Sequence, residues 1–158
     1  MACLRLCGVR PLNLVVRDRL LNTIATFTTE RFNTTVARKT FINLGCYGDD
    51  LAEWLADEFR ADGLPNVEVA TEDFGWAVKF DVNGRRYWAS IVYIPGRFWA
   101  VALERGGLLA RFLASFRLIS GEAVAALERV VHRSPDLQDV VWHSPRSFSE
   151  SLQRRDSK

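Results

Sequence analysis

The sequence predicts an α+β fold: a two-layer sandwich of a mostly antiparallel sheet with two helices on one face, in the order β-α-β-β-β-β-α-β. Three observations carry that expectation. Asn83-Gly84 sits between two runs of strict alternation, the strongest short-range signal for a hairpin. Two stretches with apolar residues at helical spacing lie before and after the strand-forming centre. Helices segregated in this way against an antiparallel sheet give two layers.

The first strand is expected over 39–44, with Phe41 and Ile42, broken by Gly45-Cys46-Tyr47-Gly48. Asp49 or Asp50 then caps a helix, and Asp50 with Glu53 forms a capping-box-like pair. Leu51, Trp54, Leu55 and Phe59 make its apolar stripe, and Gly63 with Pro65 ends it. Asp50, Glu53 and Asp57 make the other side acidic, a solvated face or a docking surface. Val67-Glu68-Val69 begins the next strand, and Gly75 permits a bulge before Trp76.

From Trp76 the side chains alternate. Trp76, Val78, Phe80 and Val82 point one way; Ala77, Lys79 and Asp81 point the other. A two-residue turn at Asn83-Gly84 sets Asp81 against Arg86, Phe80 against Tyr87, Val78 against Ala89 and Trp76 against Ile91. Pro95-Gly96 makes the next turn. Taken as equally tight, it places Phe98, Ala100 and Ala102 with Ile91 and Tyr93. Trp88, Val92, Trp99, Val101 and Leu103 are then gathered on the opposite face. Such an apolar outer patch marks a partner or ligand site unless the chain covers it. Residues 105–118, with Leu109, Phe112, Leu113 and Phe116 at helical spacing, are a candidate cover. Ser120 caps the second helix, whose stripe is Val124, Leu127, Val130 and Val131. The last strand runs over 137–143.

Charge is segregated. Residues 1–38 carry six arginines against Asp18 and Glu30, a net of +4; residues 39–145 are net −4; residues 146–158 are net +2. The expected domain is therefore 39–145. Residues 1–38 are a basic leader, disordered or not native, and 146–158 a disordered polar tail. Arg-rich and acid-poor, the leader has part of a presequence signature but no Ser. A translated start at Val36 is the competing expectation. The leader's apolar runs, such as Leu14-Val15-Val16, are far short of a membrane span. Three cysteines (Cys3, Cys7, Cys46) provide no disulfide framework and suit a reducing, cytoplasmic compartment.

Several chemistries lack their motifs. There is no G-x-G-x-x-G, no Walker lysine and no G-x-S-x-G elbow. No zinc-ligand spacing recurs, so no metal or cofactor is expected. His132 and His143 have no sequence-adjacent nucleophile. Nucleic acid is disfavoured by the acidic domain, because phosphate neutralisation dominates such binding. The best carboxylates for acid–base work are Glu72, Asp73 and Glu104.

The strings Thr40-Phe41-Ile42-Asn43-Leu44-Gly45-Cys46-Tyr47-Gly48-Asp49-Asp50, Glu72-Asp73-Phe74-Gly75-Trp76 and Val140-Val141-Trp142-His143 resemble a group of uncharacterised bacterial proteins of this domain size. The resemblance covers 39–145 and implies no activity. The leading expectation is a small interaction protein, immunity-like or regulatory. It would dock a protein partner through the acidic helix (Asp50, Glu53, Asp57) or the Trp-bearing sheet face. The alternative is a small-ligand binder or hydrolase-like enzyme using Glu72, Asp73 and Glu104 around a Trp-lined cleft.

Overall fold

The computed structural model describes residues 22–36, 45–73, 75–106 and 119–153. Among these the order is β1 (Ile24–Thr28), α1 (Asp49–Ala61), β2 (Glu68–Glu72), β3 (Gly75–Val82), β4 (Arg85–Ile94), β5 (Phe98–Arg105), α2 (Gly121–Arg133), β6 (Gln138–His143) and α3 (Pro145–Gln153). The strands form one antiparallel sheet in the order β2-β3-β4-β5-β1-β6. The α+β class holds, with a third helix. The strand expected over 39–44, Cys3 and Cys7, and the Leu109–Phe116 stripe all lie outside the described residues.

The β3–β4 hairpin has the expected register, with Phe80 against Tyr87 and Asp81 against Arg86. Asn83 (φ 50°) and Gly84 (φ 71°) both take the left-handed conformation that a two-residue turn demands. The Arg86 Nε–Asp81 Oδ1 pair closes at 2.6 Å beside it. Glu72 pairs with Gly75 in unbroken register, so the bulge expected at Gly75 does not form.

The second turn differs by one residue. Ile94 pairs with Phe98, so Pro95, Gly96 and Arg97 all lie in the loop, and the Arg97 N–H donates to the Ile94 carbonyl (3.0 Å). In a strand of period two, that single residue exchanges the faces. Trp99, Val101 and Leu103 therefore point to the same side as Tyr93, Ile91 and Ala89, and each is only 1% exposed. The continuous five-residue patch expected on the outer face does not exist.

The inner face, covered by α1 and α2, is built from large interlocking side chains. Leu51, Leu55 and Phe59 of α1 and Val124, Leu127, Val130 and Val131 of α2 join one cluster with the strands. Phe59 stacks on Phe80 at 4.5 Å, and Tyr93 on Trp99 at 4.8 Å. Burying side chains of this size stabilises by about 1.5–3 kcal/mol each. Gly48, not an aspartate, occupies the α1 N-cap. Asp50 instead accepts from the Asn33 backbone N–H (2.7 Å). Ser120 caps α2 as expected, accepting from the Ala123 N–H (3.3 Å).

Both expected flanks are corrected. Ile24–Thr28 is an internal strand, bonded to β5 on one side and β6 on the other. Ala25 and Phe27 are fully buried, and Phe32 packs between Trp54 (5.6 Å) and Trp99 (6.3 Å). A domain beginning at residue 39, or a chain beginning at Val36, would lack this strand, leaving β6 without a partner strand and β5 bonded to β4 alone. At the other end, residues 146–153 of the expected tail belong to α3, and 154–158 lie outside the described residues. Ser144 Oγ accepts from the Ser147 N–H (3.2 Å), and Pro145 stands at the first helical position.

Candidate functional site: the outer face of the sheet

The face opposite α1 and α2 has a different composition. Outward positions on β4 and β5 run Trp88, Ser90, Val92, Ile94 and Phe98, Ala100, Ala102, Glu104. Small residues on β5 leave a depression in the middle of the sheet. α3 lies along it with Phe148 and Leu152, spaced i, i+4, turned to the strands. Phe148 meets Phe98 at 6.4 Å and the His143 ring at 5.8 Å. The result is a groove of about 360 Å³. Ile24, Val92, Ile94, Ala100 and Ala102 contribute its apolar floor.

Two polar groups enter it. Ser90 is 4% exposed and its Oγ has no hydrogen-bond partner among the described residues. An unmet buried hydroxyl costs about 1–3 kcal/mol, so its position in an apolar wall calls for a reason. Glu104 lines the same end of the groove and is exposed at the mouth. Across from Glu104 stands Trp88, with Lys79 Nζ 4.3 Å above its ring. Lys79 also reaches Glu72 Oε1 at 3.4 Å. A Cβ on Gly106 would collide with the Trp88 indole and the Arg86 side chain, so only glycine lets the chain pass there.

The expected site residues are thus redistributed. Glu104 stands in one row with Trp88, Lys79 and Glu68, whereas Glu72 is opposite Gly75, four residues further along β3, and meets that row only through the Lys79 side chain. Asp73 lies in the β2–β3 turn and does not line the groove. Trp88 and Val92 are on the outer face; Trp99, Val101 and Leu103 are in the core. On α1, Asp57 pairs with Arg60 (2.8 Å), Glu58 with Arg133 (2.5 Å), and Asp62 with Arg133 (2.8 Å) and Arg129 (3.4 Å). The Arg133 hydrogen bond holds the Asp62 carboxyl below its ordinary value, against the opposing effect of burial. Much of the acidic helix is therefore answered by α2 and by its own last turn. Glu53 is exposed, and Asp50 is half-buried against Asn33.

One pairing had no signature in sequence. Thr26 Oγ1 lies 3.0 Å from His143 Nε2, and burial depresses the His143 imidazole below its ordinary value. The two residues are 117 positions apart. Ser90 was equally silent, since a serine in an alternating strand reads as a wet position. Phe148 and Leu152 did leave a signal: a Ser-Pro start followed by an i, i+4 apolar pair.

Among the described residues no group of His, Cys, Asp and Glu is arranged to hold a metal ion. Among the same residues no helix is long and apolar enough to cross a membrane. Comparison with protein-family models, curated proteins and solved structures returns no match. The functional reading rests on the groove.

Proposed function

We propose that this protein is a small-ligand-binding protein whose site is the groove between the outer sheet face and α3. The observation that carries the reading is a concave apolar surface with one buried, unpartnered hydroxyl, the usual make-up of a ligand site. Its size falls at the lower end of such cavities, roughly 300–1,000 Å³. The site is built on three neighbouring strands of a six-stranded sheet, so its floor is rigid. The sparse cysteines, with Cys46 free, fit a cytoplasmic setting.

Docking of a protein through the acidic helix has less support, because Arg60, Arg129 and Arg133 already occupy several of its carboxylates. The Trp-bearing face survives only in Trp88 and Val92. A hydrolase-like role for Glu72 and Glu104 would have to work around Lys79, which already neutralises one of them.

The test uses the neutral fluorescent probe N-phenyl-1-naphthylamine with the full chain. We expect saturable binding to one site. Ala102→Leu, which fills the groove floor, should abolish it while leaving the melting temperature within a few degrees. Phe148→Ala, which opens the α3 wall, should weaken it. Unchanged binding in both variants would remove the groove as the site.

A further inference from the structure

We infer that the groove's ligand is an elongated apolar molecule ending in a neutral hydroxyl or a protonated amine, with that head at Ser90 and Glu104. This inference rests on the ligand-binding reading and specifies its chemistry. The polar groups are not scattered. Ser90 and Glu104 occupy one end of the groove, opposite Ala102 and Trp88 respectively in the β4–β5 ladder. From Ser90 to Ile94 the floor holds no polar side chain on β4, a distance of about 13 Å at the rise of a strand. Val92, Ile94, Ala100 and Phe148 surround that stretch. A chain laid along it meets only carbon, and its terminal group arrives beside the hydroxyl that has no other partner.

Charge selects among heads. The Glu104 carboxylate lies at the mouth, so a ligand carboxylate would face a like charge. An alcohol can both donate to and accept from Ser90 Oγ. An ammonium can donate to Ser90 and meet Glu104 as a charged pair. Lys79 does not reverse this preference, because its ammonium is already engaged by Glu72 and the Trp88 ring.

The Ser90 hydroxyl then makes a two-sided demand. In the empty protein it is a buried group without a bond, and removing it should stabilise. In the occupied protein it holds the head, and removing it should weaken binding.

The experiment measures affinities of decylamine, decanol and decanoate for the full chain by calorimetry, with melting curves of each variant. Decylamine and decanol should bind, and decanoate at least tenfold more weakly. Octylamine should bind about fifteenfold more weakly than decylamine, about fourfold per methylene. Ser90→Ala should lower decanol affinity about tenfold and raise the melting temperature of the unliganded protein by about 3 °C. Glu104→Gln should bring decylamine and decanoate closer together while leaving decanol unchanged. Equal binding of decanoate and decylamine, or affinities indifferent to both substitutions, would overturn the inference. If N-phenyl-1-naphthylamine binds and none of the three decyl compounds does, the head-group assignment fails and the groove stands. If the dye does not bind either, the groove reading falls as well.

Discussion

The two faces of this one sheet follow opposite rules. On the inner face large residues meet large residues: Phe80 lies on Phe59, Trp99 on Tyr93, and Phe32 between two tryptophans. On the outer face small residues meet a short helix. Ala100, Ala102 and Ser90 leave room that Phe148 and Leu152 do not fill. The inner face is filled by the α1 and α2 side chains packed on it. The outer face keeps a half-covered apolar floor and a buried, unmet hydroxyl, both unfavourable for a surface with only a structural role. A face that retains such features is better explained by what it binds than by what it stabilises.

The sharpest way to break the contrast is to exchange the faces. Deleting Phe98 while the three-residue Pro95-Gly96-Arg97 loop is kept would set Trp99 opposite Ile94 and slide β5 by one register position. Glu104, Ala102 and Ala100 would then point into the core in place of Leu103, Val101 and Trp99. The cost should exceed the protein's whole stability, typically about 5–15 kcal/mol. Urea titration by circular dichroism should show no cooperative transition.

Next in size are truncations that compare the faces. Phe27→Ala removes a buried ring from the inner side of β1 and should cost about 3–5 kcal/mol. Val92→Ala, on the half-buried outer floor, should cost about 1 kcal/mol. Chemical denaturation of both variants measures the ratio. Similar losses would mean that the outer face is packed as tightly as the inner.

Smaller still is a pH effect on the outer side. Burial holds the His143 imidazole below its ordinary value of 6.5, so the unfolded chain takes up its proton first. Stability should be fully present above pH 6.5 and fall as the pH drops from there through the lower, folded-state value. In His143→Gln that slope should disappear from melting temperatures recorded across the same range. The smallest effect belongs to the inner layer's rim. Asp62 titrates below its ordinary 3.8 because Arg133 bonds it. Its contribution is present above pH 3.8 and lost as the pH falls through the lower, folded-state value. Asp62→Asn should flatten the melting temperature only in that acid range, by little, as expected of a pair on a solvated rim.

What was legible in the sequence was local. Asn83-Gly84 permits one tight turn, and the whole β3–β4 register followed from it. Ser120 and the Leu51–Phe59 stripe likewise carry their structure with them. Pro95-Gly96 is compatible with several turns. The tighter one inverts β5 and adds Trp99, Val101 and Leu103, which belong to the core, to Trp88 and Val92 on the outer face. β1 was hidden because Ile-Ala-Thr-Phe-Thr sits in an Arg-rich, Thr-rich stretch, and charge averaging treated that stretch as a leader. Its partners, β5 and β6, lie more than seventy residues away in the chain. The groove was out of reach for the same reason. Ile24, Ser90, Ala102 and Phe148 come from four elements, and only the completed sheet places them together.

The most direct test of the two-face account is a nuclear magnetic resonance titration of isotopically labelled protein with decanol. The account expects shifts concentrated at Ser90, Val92, Ala100, Ala102 and the α3 residues Phe148 and Leu152, with Leu51, Phe80 and Leu127 unmoved. Shifts centred on the α1–α2 layer, or none at saturating decanol, would contradict it.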